Sequence, residues 1–571
     1  MRLIISAYLR TLRERDEFDC LLPDLAIAMG YTPLVRPQTG VRQLGVDLPV
    51  AGKNPDDDVE ELVLFVIKQG DIGRQEWSST VQSVRQSLEE TLDVYLTKYV
   101  EPAHQSIRKK IVVATTGDLK QDTQPNWNGF IEKYKETAVF EFWSGDKVAD
   151  LIERFMLDEH VFQEEDRVGL RKALAFAGER DYSMLDVDRL LTRQLGLDSQ
   201  GELPATAKGG KTLAKAIIRL NLALRMFTKA AQDAGDTRQA LWAAEHFLLK
   251  TWHRVQLSDD DLKDKEVMKA FELLHHSYFE AGVAYLTKLA PHLQTRDGMS
   301  GYTGESAEYA IVLLEHVGLI ASFGIALYGA DKSAEGQEKA GRVAELLCAM
   351  LANMPATASP RLDQNAIDVS LALLFLSLVE KFEEIRDWVY ELQGRLVFSL
   401  VQGWGFPISS DSFDDLVDVA VFHDEDLMKD CVGSSWLAAT LATWCVVCDM
   451  KEEYKHLVRS LKRKVPQLRP QFWHPDAEST KRWYFEDVHF DTGATEVLDL
   501  PEDMEDARGR MIQFLREKEW NVQTSTSAVK AGFLWLDLLN CRHYRFPVSA
   551  RTWYALAVRP DDASVQQDVG E

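Results

Sequence analysis

Apolar and polar residues follow two different patterns along this chain. In the first third, short apolar runs separate helical segments, and the clearest run, Leu62–Ile67, is apolar at every position. A strand covered on both faces shows such a continuous run. After about residue 164 the strand signals nearly cease, and long segments with helical spacing of apolar residues follow. The pattern predicts an α/β region followed by a large helical region.

The first third is predicted to alternate helices with strands. Ser6–Met29 has helical spacing and stops at Gly30, because a glycine often follows the last helical turn. Strands are expected at Gly45–Val50, Leu62–Ile67, Ile111–Ala114 and Val139–Trp143, and further helices at Ser79–Tyr99 and Asp146–Leu157. Ser144 is the expected N-cap of the last helix.

The remainder of the chain is predicted to be helical, with breaks at glycine and proline clusters. Helical segments are expected at about 168–195, 211–234, 236–256, 259–286, 304–329, 333–353, 364–402, 411–431, 434–462, 503–519 and 525–545. The stretch 466–502 is rich in aromatic and acidic residues and is predicted to be irregular. We therefore predict an α/β domain at 1–164, a helical module at 165–465, an irregular and helical C-terminal region at 466–558 and a flexible tail at 559–571.

Composition narrows the class of protein. The chain has 571 residues, 46% of them hydrophobic, which is enough to build several packed cores and excludes a disordered chain. Its net charge of −25 argues against a general basic coat for nucleic acid or membrane, although a local basic groove is compatible with it because salt screens charges beyond about 8 Å. The six cysteines are sparse and lie mostly among apolar residues, as reduced cytoplasmic thiols do. The apolar runs at 369–379 and 436–448 fall short of the roughly 20 residues that a membrane span needs.

Short motifs in the first third carry a family resemblance. They are Gly45-Val46-Asp47, the strand end Phe65–Asp71 with Lys68, the strand and polar turn Lys110–Gly117, and Phe142–Val148 leading into a helix. Together with the order of elements, they resemble the PD-(D/E)xK nuclease superfamily, closest to its Mrr-like restriction-endonuclease branch found in bacterial anti-phage proteins. The resemblance covers roughly residues 8–160, about a quarter of the chain. It implies a restriction-endonuclease-like α/β domain.

The resemblance also implies a metal-dependent phosphodiesterase site. Asp47 would bind Mg²⁺ (or Mn²⁺), the carbonyl of Ile67 would add a neutral oxygen ligand, and Lys68 would orient water or balance charge. Glu17 on the first helix would supply a second carboxylate to the metal and the catalysis, with Glu14 as an alternative. Each residue also has a plain interpretation, since a lysine at a strand end or an acid on a helix is usually just solvated.

One position departs from the family pattern. The residue two before Lys68 should be Glu, Asp or Gln, and it is Val66, which cannot bind a metal. Either a helix carboxylate such as Glu17 replaces the missing ligand, or the domain has lost cleavage and binds DNA or partner proteins without cutting. Both alternatives remain open from the sequence.

Basic residues near the motifs are candidates for a phosphate-tracking groove. The nucleic-acid-binding candidates are Arg42, Arg74, Arg85, Lys109 and Lys110. The resemblance implies a nucleic-acid substrate, with DNA expected and RNA left open by the sequence, and a phage product or proteins of a defence operon as trigger or partner of the helical region. A homodimer is expected because cutting both strands usually takes two sites.

Three other motifs are interpreted as structural. Lys208–Thr212 ends like a phosphate-binding loop, but Ala205 stands where the first glycine belongs, so a loop that starts a helix is expected. Cys445 and Cys448 have the spacing of a metal or redox pair but lie in an apolar segment, which favours buried core thiols. Ser434 or Ser435 is expected to cap a helix.

Overall fold

A five-stranded mixed sheet forms the centre of the N-terminal region in the computed structural model. Its strands are β1 (Thr32–Pro33), β2 (Leu48–Lys53), β3 (Glu60–Lys68), β4 (Arg108–Thr115) and β5 (Val139–Trp143), in that order across the sheet. The first three strands pair antiparallel, and β3, β4 and β5 pair parallel. The predicted strands are therefore present, and the mixed α/β character of this region is confirmed.

The structure describes most of the chain. The described residues are 5–6, 9–10, 12–34, 45–79, 83–156, 164–179, 184–301, 306–402, 407–410, 412–419, 433–476, 478–485, 493–516 and 526–559. Residues 560–571 of the predicted tail, most of the predicted helix 411–431 and part of the predicted Ser6–Met29 helix lie outside them.

Helices flank this sheet. They are α1 (Asp19–Ala28, after the π-helical turn Glu14–Phe18), α2 (Arg74–Ser78), α3 (Val84–Glu90, continued through Thr91–Tyr95 and Leu96–Lys98), α4 (Gln124–Tyr134) and α5 (Gly145–Phe155). Ser144 caps α5 as predicted, because its hydroxyl accepts a hydrogen bond from the Lys147 backbone at 3.3 Å. Helix α4 was not predicted, since its Gln-Pro-Asn start and its few apolar residues give a weak periodic signal.

One apolar cluster joins β3 and β4 to three of these helices. It contains Leu62, Leu64 and Val66 from β3 and Ile111 and Val113 from β4. The helices contribute Trp77, Val84, Leu88, Trp127 and Phe130 to the same cluster. Alternate residues of a strand face opposite sides of a sheet, so Leu62, Leu64 and Val66 all face this cluster.

The rest of the chain is mainly helical, as the apolar spacing predicted. The helices are α6 (Glu164–Ala175), α7 (Leu185–Gln194), α8 (Lys211–Asp233), α9 (Thr237–Gln256), α10 (Asp259–Lys263), α11 (Lys265–Leu293), α12 (Ser306–Ala330), α13 (Ala334–Asn353), α14 (Ala366–Leu378), α15 (Phe382–Gln402), α16 (Phe413–Val417), α17 (Trp436–Val447), α18 (Lys451–Lys464), α19 (Met504–Arg516), α20 (Ser527–Lys530), α21 (Leu534–His543) and α22 (Arg551–Tyr554).

Two long predicted helices are each broken into a pair by a residue in the left-handed region. Glu380 has φ 61° between α14 and α15, and Asp449 has φ 57° between α17 and α18. A backbone reversal of this kind ends a helix whatever the apolar spacing on either side.

The stretch predicted to be irregular contains β7 (Arg469–His474) and β8 (Ala494–Val497), which join β6 (Ser434–Ser435) in a second sheet. The prediction of an irregular stretch at 466–502 is therefore incomplete, because it missed strands β7 and β8.

Contacts divide the chain into two compact units. Unit 1 comprises residues 1–199, 203–236 and 259–274, and unit 2 comprises residues 200–202, 237–258 and 275–571. The sheet thus shares its unit with α6, α7 and α8, whereas the sequence pattern set a boundary at residue 164. Within unit 1, the buried carboxylate of Asp24 on α1 accepts a hydrogen bond from Asn221 on α8 at 3.1 Å, which ties α8 to the sheet domain.

A buried ionic network links α9 and α21 in unit 2. The carboxylate of Glu245 accepts hydrogen bonds from Arg542 and from Nδ1 of His543, the latter at 3.2 Å. Trp242 stacks on His543 with ring centroids 4.7 Å apart. Burial lowers the pKa of His543 well below its usual value, so the ring is neutral and Arg542 supplies the charge that matches Glu245.

Helix α12 contains the one described segment that is long and apolar enough to cross a membrane by length and composition, Glu308–Ala330. Of its most apolar window, 78% is buried inside the protein. His316, within this segment, is fully buried and contacts the hydroxyl of Tyr285. The burial is that of a core helix, and the shorter apolar helices α14 and α17 are buried as predicted.

Candidate functional site

Asp47 lies one residue before β2 and is bound to the carboxyl end of β3 by two hydrogen bonds. Its backbone N–H donates to the carbonyl of Phe65 at 2.9 Å, and its Oδ2 accepts from the N–H of Ile67 at 2.7 Å. The register pairs Leu48 with Phe65, so the start of β2 meets the end of β3. Strand pairing therefore brings the predicted carboxylate beside the strand that ends at Lys68.

The electrostatic surroundings of Asp47 are unusual for a carboxylate. Burial raises the pKa of Asp47 to about 6, the Ile67 hydrogen bond and the charge of Lys68 oppose that increase, and Glu14 and Asp19 add to it. Three acidic residues and one lysine therefore influence the same point at the end of β3. Removing negative charge from that point, or adding a cation to it, would be favourable.

Glu14 and Asp19, whose charges raise the pKa of Asp47, lie in the helical segment that precedes β1. Glu14 is in the π-helical turn and is the alternative carboxylate that the sequence proposed. Asp19 is the first residue of α1 and was not predicted from the sequence as a site residue. A single acid at the start of a helix usually serves only to interact favourably with the helix dipole. The side chain of Glu17 lies outside the described residues, so its predicted role stays a prediction.

Val66 is fully buried in the apolar cluster, against residues such as Trp77 and Leu88. The departure from the family pattern therefore has a structural reason, since this position fills the core in front of α2 and α3. A carboxylate here would be placed among apolar side chains with no counter-charge among the residues of the cluster.

The loops beyond β3 and β4 are locked to one another. The N–H of Gly70 donates to Thr116 at 2.9 Å, and the hydroxyl of Thr115 donates to the carbonyl of Gly70 at 2.5 Å. A Cβ on Gly117 would lie 2.4 Å from the carbonyl carbon of Gly70, so only glycine fits. The polar turn identified in the sequence thus makes the carboxyl edge of the sheet rigid. In α/β sheets, ligands bind at the carboxyl ends of parallel strands.

A cation bound at this edge would need substrate to complete its coordination. Mg²⁺ commonly uses one or two protein carboxylates together with substrate phosphates. No described His, Cys, Asp or Glu side chains bring three ligand atoms within 4.8 Å of one another around Asp47. Asp47 with Glu14 or Asp19 would supply the carboxylates, and the Ile67 carbonyl lies on the strand residue that Asp47 already contacts.

The basic run on β4 lies at the other end of the sheet. Leu62 pairs with Lys109, and Lys68 pairs with Thr115, so about 20 Å of strand separates Lys109 from the Asp47 edge. Lys109 donates to the carbonyls of His104, Gln105 and Ile107 at 2.7, 2.9 and 2.5 Å. These bonds hold its ammonium group against the turn that precedes β4.

Lys110 belongs to a buried ionic cluster around Glu61 that sequence reasoning missed. Its Nζ lies 3.0 Å from both Glu61 and Glu141, and Glu61 is fully buried. Glu61 also accepts hydrogen bonds from Tyr31 at 2.6 Å and Arg108 at 2.7 Å. Arg108 and Lys110 therefore compensate the buried carboxylate of Glu61, whereas Lys109 bonds to the turn that precedes β4. The only hint in the sequence was Glu61 at the head of an apolar strand.

The other predicted groove residues are distributed differently. Arg74 begins α2 just beyond the carboxyl end of β3 and pairs with Asp122 at 3.5 Å, with its side chain 73% exposed. Arg85 pairs with Glu89 one turn along α3. Arg42 lies outside the described residues. Of the described basic candidates, Arg74 is the one on the same edge as Asp47.

The three motifs interpreted as structural have the expected surroundings. Helix α8 begins at Lys211, and the N–H of Gly210 donates to the carboxylate of Asp261 at 2.7 Å, so an acid occupies the place of a phosphate. Cys445 on α17 and Cys448, which directly follows that helix, are both buried, and burial raises the pKa of both thiols. Ser435 caps α17, accepting from Ala438 at 2.9 Å.

No family model, no curated protein and no solved structure matches this chain. The resemblance to PD-(D/E)xK nucleases rests on the quoted motifs and the order of elements. The arrangement of Asp47, Lys68, Glu14 and Asp19 is the physical observation that bears on function.

Proposed function

We propose that unit 1 is a metal-dependent nuclease, with Asp47 and Lys68 as catalytic residues at the carboxyl end of β3. The observation that supports this is the Asp47 carboxylate itself, held beside the strand of Lys68 and within the combined field of Glu14 and Asp19. Like charges held close together are destabilising unless a cation compensates them.

Each residue has a defined task in this proposal. Asp47 holds a divalent cation (Mg²⁺ or Mn²⁺), with Glu14, Asp19 or the predicted Glu17 as second carboxylate and the Ile67 carbonyl as a neutral ligand. When bound, that cation polarises the phosphate and lowers the pKa of an attacking water. Lys68 balances the negative charge that develops on the phosphate oxygens. Arg74, exposed on the same edge, contacts the nucleic-acid backbone.

The wider role follows the resemblance alone. We propose that the nuclease is a cytoplasmic effector of bacterial anti-phage defence that acts on DNA. The helical unit 2 would then sense a phage product or bind partner proteins. Two copies of the chain would supply the two sites needed to cut both strands.

The test is cleavage of a supercoiled plasmid by the purified full-length protein with Mg²⁺ or Mn²⁺, with and without phage lysate. We expect Asp47→Asn and Lys68→Met each to reduce cleavage by about 100-fold or more. Lys53→Met is the matched control, because Lys53 occupies the opposite end of β2 and only pairs with Asp58 on the surface. Cleavage that persists in both site variants would place the activity elsewhere.

A second candidate function is binding without cleavage, as a subunit of a defence complex. It is favoured by the burial of Val66, which removes the acid that the family pattern expects. It predicts that wild type binds duplex DNA or a stoichiometric protein partner, that no metal supports nicking, and that Asp47→Asn leaves the binding unchanged.

A further inference from the structure

A cleft in unit 2 carries two arginines and is separate from the proposed nuclease site. We call it the arginine cleft and define it by Arg361, Arg395, Ser359, Ser399 and Phe398. Its volume is about 300 Å³, at the lower end of the range for small-molecule pockets. None of the described residues that line it is acidic, although the whole chain carries a net charge of −25.

Backbone pairing holds Arg361 in the wall of the cleft. The N–H of Ile408 donates to the carbonyl of Arg361 at 3.0 Å, and the N–H of Asp363 donates to the carbonyl of Ile408 at 2.7 Å. Arg361 is partly buried, and burial lowers the pKa of its guanidinium group. A cation held in such surroundings gains more from an anion than an exposed arginine does.

The nearest acid in the sequence is turned away from the cleft. Asp363 accepts hydrogen bonds from Ser435 at 2.6 Å and from the backbone N–H groups of Trp436 at 2.6 Å and Leu437 at 3.2 Å. Its carboxylate therefore caps α17. The positive end of that helix is already occupied, so the anion site does not depend on it.

Arg395 and Ser399 present polar groups from successive turns of α15. Arg395 donates to the hydroxyl of Ser359 at 2.7 Å, and its Nε lies 3.6 Å from Glu391, an exposed residue one turn earlier. Ser399 is buried, with 9% of the residue exposed, and no described residue hydrogen-bonds its hydroxyl. A buried hydroxyl without a partner is unfavourable and indicates that something polar completes it.

Apolar side chains complete the cleft. Phe398 is 51% exposed, and Leu396 and Pro407 also line the cleft. An exposed aromatic ring beside two guanidinium groups suits a ligand with an anionic end and a flat apolar end. Two arginines and a hydroxyl match a doubly charged group with three acceptor oxygens better than a single carboxylate.

We propose that the arginine cleft binds a phosphate monoester with a flat apolar body. The phosphate lies between Arg361 and Arg395 and accepts a hydrogen bond from Ser399, and the ring lies against Phe398. The site is a ligand-binding site of unit 2 and does not rest on the nuclease proposal.

The experiment is isothermal titration of the full-length protein with phenyl phosphate, inorganic phosphate and benzoate. We expect phenyl phosphate to bind about tenfold more tightly than inorganic phosphate, because its ring adds an aromatic contact. Benzoate, which has the ring but a single carboxylate, should bind more weakly than phenyl phosphate. Equal affinity for benzoate would overturn the phosphate assignment.

Matched variants separate the parts of the site. Arg395→Gln should weaken phenyl phosphate binding by about tenfold or more, since one charge-assisted hydrogen bond is lost. Ser399→Ala should weaken the binding of both phenyl phosphate and inorganic phosphate. Phe398→Ala should weaken the binding of phenyl phosphate but not that of inorganic phosphate. Arg342→Gln is the control, because Arg342 is an exposed arginine of α13 paired only with Glu338 one turn away.

Two further results would refute the proposal. One is the absence of saturable phenyl phosphate binding to the wild-type chain. The other is wild-type affinity in Arg395→Gln, whose partly exposed side chain can be removed without disturbing the fold.

Discussion

The carboxylate of Asp47 accepts a hydrogen bond from the backbone N–H of Ile67 at 2.7 Å, so a side chain ends the ladder between β2 and β3. This contact gives Asp47 two roles, because it satisfies a backbone donor and also supplies the charge that the proposed cation needs. Substitutions of Asp47 must therefore distinguish loss of structure from loss of chemistry.

Asp47→Asn and Asp47→Ala should separate these roles. Both remove the charge and should abolish cleavage, but the amide oxygen of Asn can still accept from Ile67, whereas Ala cannot. We expect Asp47→Ala to be less stable than Asp47→Asn by about 1–3 kcal/mol, the cost of an unsatisfied buried donor. Urea denaturation of the two variants measures the difference. Equal stabilities would mean that water replaces the lost acceptor.

The stability of the wild type should depend on Asp47 between pH 4 and 6. The pKa of this carboxyl is about 6 in the folded state against an ordinary 3.8, so the folded chain binds more protons than the unfolded chain in this window. Stability therefore falls as pH rises through the window. Asp47→Asn lacks this loss and should be more stable than wild type by about 2–3 kcal/mol above pH 6, with no difference below pH 4. Thermal melts across this range test it, and parallel profiles for the two proteins would contradict it.

Val66→Glu should unfold the sheet domain instead of restoring a metal ligand. The new carboxylate would be buried among the side chains of the apolar cluster, at a cost of about 3 kcal/mol or more. Val59→Glu is the matched control, because Val59 is 43% exposed in the turn before β3. Denaturation and metal-dependent cleavage should be measured together. A folded Val66→Glu protein with increased cleavage would show that Val66 faces the site.

Lys110→Met should destabilise unit 1 by about 2–4 kcal/mol, since it leaves the buried Glu61 with less compensating charge. Arg85→Met, which removes an exposed pair on α3, should change stability by no more than about 0.5 kcal/mol. Chemical denaturation distinguishes the two variants. If Lys110→Met left stability unchanged and weakened DNA binding, the result would indicate that Lys110 contacts nucleic acid.

The apolar spacing of the chain was enough to find four of the five strands of the first sheet and most of the helices; the two-residue strand β1 was missed. Strand β5 coincides with its prediction, and α8, α9 and α13 agree with theirs to within a residue or two. These elements are set by local periodicity, which depends on neighbours within a few residues. The capping roles of Ser144 and Ser435 were also predictable, because an N-cap bonds only three residues ahead.

The partners of charged side chains were not predictable in this way. Lys110 contacts Glu61 and Glu141, which lie 49 and 31 residues away in sequence, and Asp47 is influenced by Glu14 and Asp19 from a different element. Val66 and Lys68 look equivalent as members of one motif, yet one fills an apolar cluster and the other ends its strand. Local pattern establishes which segments become helix or strand. Register and packing between distant segments determine which charges are buried together, because a Coulomb interaction depends on distance in space and on burial.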